Sequence, residues 1–452
     1  MKQLVLILFL FYAFEFCIKT ADTKKLSPKV FLTVSSLAWF QAFNSPHQRN
    51  IIINYYDVDC ERMRRSYSFV GLYSHDPKTN LRDHLFMYKP SDCPEGRIET
   101  NFSFPYFDFD KKNLFSRCLG YWAVYLEAGR IVHSTCLRTN PDWMYNMKNI
   151  IGDMTFNCLM IPGTHNSGCY SKYNPLKDTV YEKYVYTQEE SIFNQLVYGI
   201  RCIDLRVWHE GSVSIPSKIQ ITHDRHRMGL PSLTDVLQDV KDFINATKEI
   251  VIIDIHRQLT GMFNPQPLQK WQHKDIVDLV KITFGKYLIE HKYSELPLKF
   301  LWKMDKRVLV TYKYENYDLI DSAFSLAVHH WWAGAQNVDY LHEYLLNKAC
   351  SNPYYPTAAV AVLTASKWMP VIDPTMSLRK MAEKVNYPIN KWFRNELSCS
   401  NIILTDYFQG NNLIEIAIEA NKNASRCLDA FHYYYYQMSD LAKEPLEMYP
   451  FD

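Results

Sequence analysis

The chain has 452 residues, a length that exceeds one ordinary domain and divides into roughly two or three. Lys and Arg number 50 against 48 Asp and Glu, a formal net charge of +2, so the charge balance gives no ground for a nucleic-acid or polyanion partner. Aromatic residues make up 15% of the chain and include 32 tyrosines, which excludes extended disorder and favours a folded protein with substantial strand.

Met1-Lys2-Gln3 leads into an apolar run from Leu4 to Phe14 that ends near Cys17-Ile-Lys-Thr-Ala-Asp22. A basic start, a short apolar core and small residues after it read as a secretory signal peptide over residues 1–22, and the run is too short to cross a bilayer, which takes about 20 residues. The expected location is therefore extracellular. Cys17 leaves with the leader, so the 11 cysteines fall to 10 (11 − 1), an even number compatible with several disulfides. None of their spacings resembles a zinc site. Glycosylation sequons stand at Asn101, Asn245 and Asn423.

Residues 23–145 are strand-like. Val30-Phe-Leu-Thr-Val, Ile51-Ile-Ile-Asn-Tyr-Tyr, Tyr67-Ser-Phe-Val-Gly-Leu-Tyr, Leu119-Gly-Tyr-Trp-Ala-Val-Tyr-Leu126 and Arg130-Ile-Val-His-Ser-Thr-Cys136 are β-branched and aromatic runs bounded by Pro, Gly, Asn and Asp. Glu127-Ala-Gly129 marks a hairpin, and short strands with no helical pattern between them predict an all-β sandwich. Pro141-Asp-Trp-Met marks its end.

Over residues 146–452 strands alternate with helices. Ser232-Leu-Thr-Asp235 has the form of a capping box, and Leu233, Val236, Leu237, Val240, Phe243 and Ile244 follow at helical spacing. Glu249-Ile-Val-Ile-Ile-Asp254-Ile-His256, Arg307-Val-Leu-Val-Thr-Tyr-Lys313, Ala358-Ala-Val-Ala-Val-Leu-Thr364 and Asn401-Ile-Ile-Leu-Thr-Asp406 are near-continuous apolar runs, as buried parallel strands are. The expected fold class is α/β, a (β/α)8-type TIM-like barrel, possibly distorted, preceded by the sandwich.

In such a barrel the reactive groups gather at the C-terminal strand ends. His165, Asp204, Arg206, His223, His256, Lys313 and Asp406 all fall at or just past such ends. Two imidazoles, a carboxylate and a guanidinium suit phosphoryl transfer without a metal, as base, acid and fixed positive charge. His256 either lines the pocket or satisfies a core hydrogen bond, and Lys313 either contacts substrate or is solvated. His329-His330-Trp331-Trp332 reads as aromatic packing. Arg201, at an odd offset from Arg206, points to the other face of its strand and reads as structural.

Pro162-Gly-Thr-His165-Asn-Ser-Gly168, Gly199-Ile-Arg-Cys-Ile-Asp204-Leu-Arg206 and Thr222-His223-Asp224 resemble the X domain of phosphatidylinositol-specific phospholipase C, over about residues 150 to 425. The resemblance implies a phosphodiesterase that cleaves phosphatidylinositol-type lipids to diacylglycerol and inositol phosphate. By the same resemblance His165 is the base that deprotonates the inositol 2-hydroxyl, His223 the acid that protonates the leaving oxygen, and Arg206 the phosphate ligand. Asp204 is then the carboxylate orienting the acid and Asp406 the one paired with the base, with Asn166, His256 and Lys313 as substrate-binding residues. The implied partner is a phosphoinositide-type lipid or membrane surface, with no nucleic acid.

Signalling members of the family hold calcium through an asparagine after the first histidine and further carboxylates. Here the later positions read Asp204, Arg206 and His256, and a cation repels calcium, so no metal and no cofactor are expected. Metal-free members carry aspartate after the first histidine, whereas this chain has Asn166, which hydrogen-bonds but carries no charge. That exchange leaves open a catalytically weak or inactive lipid- or glycan-binding protein that keeps the pocket; a separate alternative is a phosphodiesterase acting on another lipid.

Overall fold

The structure is a computed structural model and describes residues 27–39, 47–173, 179–211, 219–261, 265–314, 321–350 and 356–422. The leader, Asn423 and the tyrosine run 433–436 lie outside these residues. Contacts divide the chain into two compact units. One takes in the described residues up to Leu32 with Ile52–Thr100 and Gly120–Leu137; the other takes in Thr33–Ile51, Asn101–Leu119 and the described residues from Arg138 onward.

The N-terminal third builds sheets. A four-stranded sheet runs in the order Phe86–Tyr88, Ser68–Tyr73, Cys118–Glu127, Arg130–Arg138, and a three-stranded one in the order Lys29–Val34, Asn50–Tyr56, Gly96–Ser103. Ala128 and Gly129 both take positive φ, 47° and 75°, the twist that a two-residue hairpin between right-twisted strands requires. Tyr73, Val124 and Leu126 form the buried centre of the four-stranded sheet. Disulfides join Cys60 to Cys93 and Cys350 to Cys399, and Cys118, Cys136 and Cys158 are also disulfide-bonded. Cys169 and Cys202 are buried free thiols. Asn101 and Asn245 are exposed.

The second unit is an α/β barrel. Its parallel strands are β1 (Ile161–Thr164), β2 (Cys202–His209), β3 (Val251–Thr260), β4 (Val308–Tyr312), β5 (Ser325–Leu326), β6 (His329–Trp331), β7 (Thr357–Val360) and β8 (Ile402–Thr405). The hydrogen-bonded order is β6-β7-β8-β1-β2-β3-β4-β5, with Leu288–Ile289 also paired to β4. Among the described residues no ladder joins β5 to β6, so the barrel is distorted at that seam. Helices α1 (Ile192–Tyr198), α2 (Leu233–Ala246), α3 (Lys270–Phe284), α4 (Val338–Lys348), α5 (Leu378–Asn386) and α6 (Leu413–Lys422) fill the crossovers and follow β8.

Alternation along each strand separates two cores. Ile161, Cys202, Ile252, Leu309, Ala358, Val360, Ile402 and Leu404 meet inside the barrel, while Met160, Ala359, Ala361 and Ile403 face α4, α5 and α6 outside it. The inward period continues upward as Gly163 and His165, Asp204 and Arg206, Asp254, Thr311, and Asp406: the lower layers are apolar and the top layer polar. Gly163 is required by this packing, because a Cβ there would stand 2.6 Å from Leu404 Cδ2 and 2.9 Å from the Cys202 carbonyl. Helix α2 opens on the expected capping box, with Ser232 Oγ accepting from Asp235 N–H at 3.1 Å and the Asp235 carboxylate accepting from Ser232 N–H at 3.1 Å. It buries the six apolar residues that its spacing predicts.

Arg201 and Arg206 part as their offset predicts. Arg201 is buried outside the barrel interior, donating from Nε to Glu249 at 2.6 Å and from its Nη atoms to the carbonyls of Leu196, Ile200 and Asn140.

Candidate active site

His165 is buried at the end of β1, held from two sides. Nδ1 meets Asp406 Oδ1 at 2.8 Å and Nε2 meets Arg206 Nη2 at 2.9 Å. A guanidinium can only donate, so Nε2 is the acceptor and the proton sits on Nδ1, donated to Asp406. The ring leans on Trp332 at 5.0 Å, and the Arg206 guanidinium lies 5.7 Å from the Trp332 ring centre. Gln188 Nε2 donates to the carbonyls of His165 and Thr405 at 3.2 and 2.8 Å, tying β1 to β8 just below the pair.

Asp204 is fully buried. One oxygen, Oδ2, accepts the Asn166 N–H at 2.8 Å; the other, Oδ1, lies 2.5 Å from His256 Nδ1. His256 is the next inward position of β3 after Ile252 and Asp254, and it sits at a bulge where β2 pairs Leu205 with Ile255 but Arg206 with Arg257. Burial pushes the Asp204 carboxyl up, but His256, then His330 and His165, hold it well below the usual carboxylate range. Burial lowers His256 despite Asp204.

The carboxylate expected behind the acid histidine is therefore elsewhere. His223 Nδ1 donates to the Val185 carbonyl at 2.7 Å, and the acid near it is Asp224, which is 4.0 Å from Arg206 and 3.1 Å from Arg257. Asp204 cannot serve His223 because both its oxygens are turned to Asn166 and His256. Burial, then the Arg206 charge, lower His223 to about 4, against the raising influence of its Val185 bond and of Asp224. Lys313 lies just past the end of β4, exposed, and its side chain takes no part in the contacts around His165.

Asn166, Asp224 and Tyr407 share a backbone feature. Each follows one of His165, His223 and Asp406, and each has a positive φ, of 45°, 53° and 46°. Such conformations cost about 1 to 3 kcal/mol each and persist where the surroundings fix them. Asn166 is fully buried, and neither its carboxamide oxygen nor its nitrogen has a hydrogen-bond partner.

Asp254, His330 and Trp332 also belong to this pocket, and none of them is assigned a role in it by sequence. Asp254 on β3 accepts from Thr311 Oγ1 at 2.6 Å and from Val328 N–H at 3.3 Å through Oδ1, and meets His330 Nε2 at 2.6 Å through Oδ2. The His330 ring lies 4.5 Å from that of His256, tilted by 36°, and Asp254 raises its affinity for a proton although burial opposes this. The His329–Trp332 run thus divides, with His330 and Trp332 in the pocket and His329 exposed. The inward period of β3, Ile252-Asp254, was the available signal for Asp254; nothing in sequence placed His330 opposite it. One ligand atom from each of Asp204, Asp254, His256 and His330 lies within 4.8 Å of all the others. The positions that hold calcium in the signalling members do not suit that ion here, since Arg206 stands among them.

Residues 159–314 match the family described as phosphatidylinositol-specific phospholipase C, X domain. The chain is 25% identical over 321 residues to PI-PLC X domain-containing protein 1 of Homo sapiens, covering 65% of this chain and 95% of that one. With its Danio rerio namesake it is 26% identical over 294 residues, 59% of this chain and 91% of that one. A mutant phosphatidylinositol-specific phospholipase C from Staphylococcus aureus aligns with TM-score 0.48 at 16% identity, covering 62% of this chain and 97% of that one. The enzyme from Listeria monocytogenes aligns with TM-score 0.46 at 18% identity, covering 62% and 98%. The matched residues 159–314 carry both histidine motifs and the Asp204–Arg206 strand, so this part of the chain is similar to the phosphatidylinositol-specific phospholipase C X domain.

Proposed function

We propose that the protein is a phosphodiesterase that cleaves phosphatidylinositol-type lipids to diacylglycerol and inositol phosphate by metal-independent acid–base catalysis. The observation that carries this reading is the tautomer of His165. Its Nε2 lone pair lies against the Arg206 guanidinium while Nδ1–H is held by Asp406. A phosphate drawn to Arg206 engages the planar fork and leaves Nε2 free to take a proton.

The reaction then follows from the groups. His165 Nε2 removes the proton of the inositol 2-hydroxyl, and Asp406 stabilises the imidazolium that results. The 2-oxygen attacks phosphorus, Arg206 balances the charge on the non-bridging oxygens, and the bond to the diacylglycerol oxygen breaks as His223 gives that oxygen a proton. The product is a cyclic inositol phosphate, which water can open by the reverse roles of the two histidines. His256, whose side chain keeps some exposure, is the substrate-facing neighbour in this reading, and the buried Asn166 stands behind it.

Exposed Trp368, Val371 and Ile372 follow β7 on the side of the barrel where the histidines lie, and exposed Met228 follows His223. A rim of this kind suits a substrate presented in a membrane surface. We further propose secretion into an oxidising compartment, in keeping with the disulfides Cys60–Cys93 and Cys350–Cys399.

The lowered His223 and the uncharged Asn166 favour a second reading, a protein that binds inositol lipid with little turnover. Purified protein incubated with phosphatidylinositol vesicles and chelator over about pH 5 to 8 separates them. Release of water-soluble inositol phosphate supports the first; vesicle binding without release supports the second.

A further inference from the structure

Each carboxylate at the base of the pocket is held by one oxygen and offers the other. Asp204 Oδ2 accepts from Asn166 N–H, and Asp254 Oδ1 accepts from Thr311 and Val328. The remaining oxygens, Asp204 Oδ1 and Asp254 Oδ2, turn towards His256 Nδ1 and His330 Nε2 at 2.5 and 2.6 Å. Asp204 Oδ1 and His256 Nδ1 are both buried, and neither makes a hydrogen bond of normal geometry despite their closeness. Carboxylates fixed by outer donors, with their second oxygens converging on two imidazole nitrogens, are how metal ligands are held in place.

We propose that Asp204, Asp254, His256 and His330 bind one divalent cation of the zinc class. Tetrahedral ligation at about 2.0 to 2.2 Å spaces donors about 3.4 Å apart. The short contacts therefore open by roughly 0.9 Å, and the other separations, all within 4.8 Å, close by at most about 1.4 Å. Two imidazoles and two carboxylates suit zinc, manganese or cobalt, whereas calcium takes six to eight oxygens. The two carboxylates cancel the charge of the cation, so the nearby Arg206 faces a neutral cluster. This donor set is not the calcium set of the signalling members, because Asn166 and Arg206 are outside it while Asp254 and His330 are in it.

His165 and His223 are not donors, so the cation takes no step in the proposed reaction. It withdraws His256 and Asp204 from the inositol ring, and its effect on turnover, which rests on the phosphodiesterase reading, is inhibition.

The test uses the purified full chain stripped with chelator and titrated with Co2+, read by d–d absorption in the visible, with Zn2+ calorimetry in parallel. One equivalent of tetrahedral cobalt is expected, displaced by zinc. His330→Gln and His256→Gln should each weaken binding at least about 100-fold, and His329→Asn, an exposed neighbour, should leave it unchanged. Absence of the band, or binding retained in both glutamine variants, overturns the site. Two variants on separate strands guard against one failing to fold, with circular dichroism reporting the fold of each. Where turnover is measurable, saturating Zn2+ should lower it at least 10-fold in the parent and not in His330→Gln. A protein without turnover still gives or withholds the cobalt spectrum, so failure of the activity and failure of the site are read separately.

Discussion

The Arg206 guanidinium donates to His165 Nε2 at 2.9 Å, the nitrogen that has to be free for base catalysis. In the proposed mechanism Arg206 is the phosphate ligand, so it closes the resting site and an anionic substrate opens it by drawing the guanidinium away. Arg206→Lys keeps the charge but loses the fork that spans both partners. Its turnover of phosphatidylinositol should fall about 100-fold or more, and His165→Asn should fall about 100-fold to 10,000-fold. Steady-state rates on mixed micelles measure both, and parent-like turnover in Arg206→Lys would sink this account of the arginine.

The two arginines should separate cleanly. Arg201→Met leaves Glu249 buried without its cation, at a cost of about 3 to 5 kcal/mol, while the contacts of Arg206 are untouched. Urea unfolding should show the loss, and turnover per folded molecule should stay near the parent value. Arg206→Lys should do the reverse.

His223 must be protonated to act as an acid, yet burial and Arg206 lower it to about 4 in the free protein. The charged form is therefore lost as pH rises through that value, and kcat/KM should fall with rising pH between about 5 and 8. Asp224 raises His223, so Asp224→Asn should move the profile further towards acid. A flat profile over that interval would exclude His223 as the acid. The stability sign is the same for any depressed histidine: the contribution is present above the unfolded value and is lost as pH falls towards 4. Replacement by glutamine should flatten unfolding free energy over that window.

Asn166, a proposed site residue, is costly to the fold. Its φ is 45° and its buried carboxamide has no partner, two costs that glycine removes. Asn166→Gly should raise the unfolding free energy by about 1 to 2 kcal/mol and lower turnover. Loss of both stability and activity would mean that the carboxamide is satisfied in the folded protein.

The membrane contact proposed for the rim is tested by substitution. Trp368→Ala with Ile372→Asp should reduce partition onto phosphatidylinositol vesicles at least about tenfold, as expected from removing apolar area and adding a charge. Hydrolysis of a short-chain soluble substrate should change little, and sedimentation of vesicles reads the difference.

Much of this site was legible because period two on a buried strand is strict. His165, Asp204, Arg206 and Asp406 fall at inward positions counted up from Ile161, Cys202 and Ile402, and the apolar layers below them are visible as residues. Asp204 was given another partner because alternation puts His256 on the inward face of β3 but does not say which inward side chain of the neighbouring strand it meets. His330 was missed for a different reason. Its strand has three residues and its partner Asp254 lies 76 positions away, so only the curl of the barrel brings them together.

The central claim is that His165, and no metal, drives attack by the substrate's own hydroxyl. Phosphorus NMR of phosphatidylinositol incubated with the protein and excess chelator tests it most directly. The account predicts inositol 1,2-cyclic phosphate as the first product, with none from His165→Asn. Linear inositol phosphate with no cyclic precursor, turnover abolished by the chelator, or undiminished turnover in His165→Asn would contradict it.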